Sequence, residues 1–272
     1  MNINVIIPMA GIGKRFLDNN YTSHKSLLKT NNNLTILENI FKNFNIKQTN
    51  FYLILSNKDL AKKIESYFPN YNLKLIIIKK HNKGPLNSIL SAQKILKKFL
   101  YNKSKIFVCY SDINWNWSLK KVLKFTENKN IIVFTHKGFH PHLEVNPNAD
   151  FCLSKKKLIT NVKKKGFIGS NYKTNLLAIG CYYFYNFSLL NNTLLNMKIS
   201  SQKNEFYLID LLEKNLKEKK IIYYYSVKKF VHLGMPSQYE DFLSWQKYFI
   251  NNQKTKLISN NFLLKENPVV VL

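Results

Sequence analysis

Arginine is nearly missing from this chain: of 42 basic residues only Arg15 is one. Acids are also scarce, at 15, which leaves a formal net charge of +27 and a pI near 9.8. Such a charge ordinarily points to nucleic acid or an anionic surface. Here the lysines are scattered among many Asn and Ile, as in an AT-rich coding sequence, so no nucleic-acid partner is expected. The runs Lys155–Lys157 and Lys163–Lys165 read as solvated turns. Cysteine is limited to Cys109, Cys152 and Cys181, odd in number and with no C-x-x-C pair, which excludes a disulfide framework and fits a reducing cytoplasm. Cys109 and Cys181 fall in strand-like runs and read as small buried hydrophobes. No apolar run reaches the length of a membrane span. Met1 to Met9 reads as a strand entering a loop, so no leader is expected. There is no internal repeat and no linker.

What is present is a chain of 272 residues, 45% hydrophobic, with enough apolar material for one large α/β domain. That domain is assigned to residues 1–250, with 251–272 a polar tail whose Val269–Val271 run offers an edge strand. Strand-like runs at Val5–Ile7, Phe51–Leu55, Leu73–Ile78 and Ile106–Tyr110 alternate with helical periods. Leu73–Ile78, apolar but for Lys74, reads as a strand buried on both faces. The first long helix opens on the capping box Thr35-x-x-Glu38, the next on Ser56, the third on Gly84-Pro85 with Pro in its tolerated first turn. The alternation predicts right-handed βαβ units, a mostly parallel sheet and ligands at the strands' carboxyl ends. A fifth strand is expected at 130–135, a hairpin at 151–162, a long strand at Leu176–Tyr185, helices near 186–196 and 205–217, a strand at Ile221–Tyr225 and a last helix at Pro236–Phe249.

The first strand ends in Ala10-Gly11-Ile12-Gly13-Lys14-Arg15. Two glycines after β-branched residues expose backbone N–H groups to an anion. A dinucleotide fingerprint needs a third glycine where Phe16 stands, and a P-loop sequence is absent. What fits is a grip on phosphate oxygens by Arg15, whose planar fork holds two at once where a lysine presents a point charge. Asp112, after the fourth strand, falls at the same sheet edge. In isolation it equally suits an ordinary strand-end cap. Trp115 and Trp117, alternating beside it, read first as packing residues and second as a wall of an acceptor pocket. His136, His140 and His142 do not form a metal site, because Gly138 and Pro141 break any helix that would align them. They read as a polar substrate loop.

Gly11-x-Gly13-x-Arg15 followed by a loop lysine, Lys25, resembles the fingerprint of the nucleotidyltransferases that convert sugar phosphates into nucleotide sugars. The similarity continues in Gly84-Pro85, like the family's base-reading segment, and in Asp112, at its magnesium position. Lys164 resembles the lysine of a Glu-Lys-Pro segment, with Lys163 in place of Glu. Gly180-Cys181-Tyr182-Tyr183-Phe184 and Glu205-Phe206-Tyr207 resemble its Gly-x-Tyr-x-Phe and Glu-x-Tyr segments, and Leu233-Gly234-Met235-Pro236 its Gly-Thr-Pro helix start. The Tyr-Thr-x-x-Lys and Gly-Phe-His-Pro segments resemble a branch found in capsule and surface-polysaccharide gene sets. His232 stands where the family has a second metal-binding Asp, and His24 where it has Pro.

The resemblance implies a Rossmann-like three-layer α/β sandwich of the nucleotide-diphospho-sugar transferase type. It also implies a cytoplasmic EC 2.7.7-type enzyme that joins NMP from an NTP to a small phosphate and releases pyrophosphate. Arg15, Lys25 and Asp112 would be catalytic. Ala10, Gly11, Gly13, Gly84 and Pro85 would bind nucleotide, and Lys164, Gly180 and Glu205 the acceptor. Asp112 and His232 would face Mg²⁺, an ion that takes one or two carboxylates plus substrate phosphates. Two rivals stand beside this reading. A glycosyltransferase of similar architecture would need Asp-x-Asp where Asp112-Ile113-Asn114 stands, and a non-catalytic nucleotide binder is suggested by His232. The base, the acceptor and the oligomeric state are not readable here.

Overall fold

The computed structural model describes residues 2–30, 33–44, 46–101, 103–137, 149–169, 172–197 and 205–252. The proposed Val269–Val271 edge strand, His140 and His142 lie outside them. Strands β1 (Ile3–Pro8), β2 (Thr49–Leu55), β3 (Asn72–Ile77) and β4 (Ser104–Cys109) pair in parallel in the order β3-β2-β1-β4. Their crossovers carry α2 (Ile36–Lys42), α3 (Lys58–Tyr67) and α4 (Pro85–Leu100). This half follows the βαβ expectation. Beyond β4 the sheet changes character. The long strand β9 (Leu176–Asn186) runs antiparallel between β4 and β6 (Ile131–His136), and β10 (Ile222–Val227) lies parallel to β6. The hairpin β7 (Phe151–Lys155) and β8 (Leu158–Lys163) joins β10 through β8, and β7 returns to β9.

The expectation of a mostly parallel sheet is therefore corrected: the nine-stranded sheet is mixed, and β9-β6-β10-β8-β7 close on themselves. The cause is chain order. β4 and β6 sit on either side of a strand contributed from much later in the sequence, which local periodicity cannot reveal. A second correction concerns β3. Among the described residues it pairs only with β2, and Ile77 is exposed, so the apolar run marks a sheet edge rather than a strand buried on both faces.

Alternation along the strands divides the core into two layers. Ile6, Ile54, Ile106 and Val108 face α4, α6 (Phe187–Leu195) and α7 (Ile209–Lys217), whereas Val5, Ile7, Leu53 and Phe107 face α2, α3 and α5 (Leu119–Thr126). The result is helix, sheet, helix. A polar rung crosses the first three strands: Asn72 donates to Asn50 Oδ1 at 2.5 Å, Asn50 to Asn4 Oδ1 at 3.1 Å, and buried Asn4 to Ser104 O at 2.9 Å. Because these asparagines share one register, the rung favours a single strand alignment. Cys109 and Cys181 are buried, as read from the sequence, and so is Cys152.

Capping follows the sequence at two of three helices. Thr35 Oγ1 accepts from Glu38 N–H at 3.0 Å, and Gly84 caps α4 with Pro85 at its first position. The cap of α3 is Asn57 rather than Ser56, since its longer side chain accepts from both Asp59 and Leu60 N–H groups, at 2.7 and 3.2 Å. The stretch expected as helix from 205 begins as α7 only at Ile209, with Glu205–Tyr207 outside any helix. No described helix is long and apolar enough to cross a membrane.

Phe107 is fully buried at the centre of an aromatic cluster, 5.2 Å from Tyr183, 5.3 Å from Phe44 and 6.0 Å from Phe134 between ring centroids. Phe107→Ala should cost about 3–5 kcal/mol, read from urea unfolding. A loss below ~1 kcal/mol would show that this cluster does not carry the core.

Candidate active site

The carboxyl ends of β1 and β4 open into a cavity of about 500 Å³. Gly11, Gly13, Arg15, Lys25, Gly84, Pro85, Asp112, Gly180, Glu205 and His232 all line it, so one cleft collects residues expected from seven separated segments. Two expected residues lie elsewhere. Ala10 is buried in the core below the loop. Lys164 packs behind the wall: its Nζ donates to Glu205 O at 3.3 Å, lies 4.0 Å from Asp210 and sits over the Tyr207 ring. The lysine that lines the cavity is its neighbour Lys165. A left-handed backbone at Lys165, φ 53°, turns the chain after β8, and strand alternation no longer predicts which lysine faces in.

The glycine loop is built around Phe16. Gly13 adopts φ 70° and starts the short helix α1 (Lys14–Leu17), whose Phe16 enters a cluster with Ile36, Leu233, Tyr239 and Phe242. Arg15, adjacent in sequence, is left exposed at the cavity. The segment from 18 to 30 is held against α8 (Pro236–Asn252), with Tyr21 OH donating to Glu240 at 2.7 Å and Tyr239 OH to Lys29 O at 2.6 Å. Burial, together with the Glu240 carboxylate, pushes the Tyr21 hydroxyl up to about 12. The Phe16 that excludes a dinucleotide fingerprint is thus the anchor of the loop.

A small ribbon missed in the sequence brings Asp112 and His232 together. Strands β5 (Ile113–Asn116) and β11 (Lys229–His232) pair antiparallel with Ile113 opposite His232, and Leu233 N–H donates to Asp112 O at 2.8 Å. A Cβ on Gly234 would stand 2.6 Å from His232 Cε1 and 2.8 Å from Asp112 Oδ2, so any larger residue there would displace one of these groups. Alternating Trp115 and Trp117 were the signal for β5. Both rings pack in the core, with Trp117 Nε1 donating to Asn43 O at 2.8 Å, and neither lines the cavity. The acceptor-wall reading of the tryptophans is set aside. His136 likewise ends β6 buried, its Nδ1 3.3 Å from Val227 O, rather than in a substrate loop.

Lys25 Nζ lies 2.5 Å from Asp112 Oδ2. Burial alone would raise the Asp112 carboxyl, but Lys25 and the His232 ring outweigh it and hold it at about 2. His24, capping the turn at Lys25–Leu27, accepts from Ser26 N–H through Nδ1. Its burial, with the Lys25 charge beside it, lowers it to about 4 and keeps the ring neutral near pH 7. His232 Nδ1 is 2.7 Å from Gln238 Oε1. As a magnesium cage this set does not fit. It offers one carboxylate, already joined to an ammonium, and one imidazole nitrogen, whereas Mg²⁺ seeks near-octahedral oxygens. Among the described residues no group of three or more His, Cys, Asp or Glu could hold a metal ion.

The opposite wall contains residues that sequence reading passed over. Tyr110 Oη accepts from Leu208 N–H at 3.1 Å, and its ring occupies the space a Cβ on Gly180, φ 81°, would need at 2.2 Å. Lys165 Nζ stands 3.9 Å from Glu205, and Tyr207 OH donates to that same carboxylate. Asp150, buried at the start of β7, accepts from Lys165 N–H at 3.3 Å. Burial raises its carboxyl to about 6, the Lys165 N–H opposes this, and Asp210 adds to the rise. No motif marks Tyr110, Asp150 or Lys165, whereas Gly180, Glu205 and Tyr207 fall in segments the resemblance names.

No protein-family model and no curated protein sequence matches the chain. Among solved structures it resembles a UDP-glucose pyrophosphorylase complexed with UDP-glucose, at a TM-score of 0.71 and 16% identity over 93% of this chain and 100% of that one. It also resembles the inositol-1-phosphate CTP transferase from T. maritima, at 0.68 and 16% over 95% and 98%. A third likeness is to CTP:phosphocholine cytidylyltransferase from Streptococcus pneumoniae, at 0.67 and 13% over 90% and 100%. The chain therefore has the mixed α/β fold of these nucleotidyltransferase structures across nearly its whole length.

Asp150 titrates near 3.8 in an unfolded chain and near 6 in the fold. The native state binds the proton more tightly, so stability falls as pH rises through this window and the full cost persists above it. Asp150→Asn keeps the acceptor for Lys165 N–H and removes the buried charge. It should be more resistant to urea than the parent near pH 7.5, by about 1–3 kcal/mol, with the difference vanishing near pH 4. A variant that is less stable near pH 7.5 would contradict this.

Proposed function

We propose that the protein is a nucleotidyltransferase that moves NMP from an NTP to a phosphorylated small acceptor, a sugar phosphate or a related phosphate, and releases pyrophosphate. The observation that carries this reading is the Lys25–Asp112 pair set between the Gly11–Arg15 loop and the polar wall of Lys165, Glu205 and Tyr207, all on one cavity. A phosphate oxygen of the acceptor, already ionised, attacks the α-phosphorus in line. The bond from that phosphorus to the bridging oxygen breaks, and pyrophosphate departs with the electron pair. No covalent enzyme intermediate and no strong base are needed, so positioning and charge neutralisation supply the catalysis. The loop N–H groups and the Arg15 fork hold the departing pyrophosphate, Lys25 sits against the reacting phosphates, and Asp112 holds Lys25. Gly84 and Pro85 border the nucleotide, Lys165 and Glu205 the acceptor. Mg²⁺ enters as the counter-ion of the nucleotide, as part of the substrate. The names of the similar structures support this assignment, since they pair inositol-1-phosphate and phosphocholine with CTP and name a UDP-glucose pyrophosphorylase. We place the reaction in the cytoplasm, in nucleotide-sugar or surface-polysaccharide biosynthesis.

The test is a pyrophosphate-release screen with CTP, UTP, GTP and dTTP against a panel of phosphorylated acceptors. One nucleotide and acceptor pair should release pyrophosphate, and silence across the whole panel would refute the assignment. With that pair in hand, Arg15→Lys should lose about 10²–10³ in rate while folding normally. An unchanged rate would remove the forked grip from the mechanism.

A further inference from the structure

Asp112 faces an ammonium and an imidazole that belong to the chain itself. Lys25 Nζ lies 2.5 Å from Oδ2. The His232 ring converges on the same point from β11, since the position of a Cβ on Gly234 is 2.8 Å from Asp112 Oδ2 and 2.9 Å from His232 Nε2. Each of the two groups is tied down from behind. His232 Nδ1 is held by Gln238 Oε1 at 2.7 Å, and Lys25 starts a turn whose cap, His24, is secured through Ser26. The carboxylate is only half-buried, but its register neighbour Ile113 and the bond from Leu233 N–H to its carbonyl fix the backbone on both sides.

We propose that Lys25 and His232 fill the place of a protein-held divalent ion at Asp112, so that the free protein binds no such ion there. Asp112 is then a positioning residue: it keeps the Lys25 ammonium at the reacting phosphates before substrate arrives. A hard dication entering this seat would have to displace an ammonium in direct contact with the only carboxylate on offer. It would gain an imidazole nitrogen where Mg²⁺ and Mn²⁺ favour oxygen. Cation repulsion and donor chemistry both act against it. Metal reaches the cavity only on the nucleotide's phosphates. What the pair does for catalysis rests on the nucleotidyltransferase reading; whether it excludes metal does not.

The experiment is a Mn²⁺ titration of the full chain without nucleotide, followed by the electron paramagnetic resonance signal of free Mn²⁺. Wild type and Asp112→Asn should give superimposable curves. The double variant Lys25→Gln/His232→Asp, checked for native circular dichroism, removes one cation and adds a second carboxylate. It should gain a Mn²⁺ site at least about tenfold tighter than anything in wild type. A wild-type site that disappears in Asp112→Asn overturns the proposal, as does a folded double variant that gains none. The first comparison needs no gain of function and decides the matter even if the double variant fails to fold. Because no NTP is turned over, the outcome is independent of the pyrophosphate screen.

Discussion

The contact on which the site depends is the ion pair between Lys25 and Asp112, 2.5 Å long and spanning 87 positions of sequence. It joins the irregular excursion after β1 to the end of β4, adding a link across the cavity to the anchors at Phe16, Tyr21 and Lys29. The pair stabilises the loop in the conformation that keeps Arg15 at the cavity. Its worth comes from being partly withdrawn from water and flanked by His232, conditions under which a charge-assisted bond is stronger than an exposed one.

Everything around this pair is arranged by where the sheet changes direction. The parallel half delivers the glycine loop and Asp112 to one edge, as open α/β sheets do. The antiparallel insertion of β9 then carries Gly180 opposite Tyr110, and the closed strands bring Asp150 and Lys165 round to face them. The two-stranded β5–β11 ribbon adds His232 and Gly234 from near the end of the described chain. The site thus stands between the parallel half of the sheet and a ring of strands. Its lining pairs bases with acids: Lys25 with Asp112, and Lys165 with Glu205.

Much of this was legible in the residues and some was not, for identifiable reasons. Period and capping located the parallel strands and the helices between them, because Thr35, Gly84 and Pro85 act within a few residues of themselves. The glycine loop, Arg15, Lys25 and Asp112 were found because they sit at strand ends in a recognisable spacing. What escaped depends on pairing between distant segments. The direction of β9, the edge position of β3 and the ribbon at Trp115 are all set by tertiary partners, to which a hydrophobic period is blind. Lys164 was chosen over Lys165 because a motif counts residues, while the left-handed turn at Lys165 decides which side chain faces in. Asp150 carries no motif, and only its burial beside Asp210 and the lysines makes it conspicuous.

The claim that phosphoryl chemistry occurs at an α-phosphorus can be examined without knowing how fast it is. Phosphorus NMR of the reaction mixture distinguishes the bonds made and broken. The account predicts two mutually coupled resonances of a new diphosphate diester together with free pyrophosphate, in equal amounts and only when NTP and phosphorylated acceptor are both present. Release of a nucleoside diphosphate from a nucleotide sugar, or orthophosphate as the sole product, would contradict it.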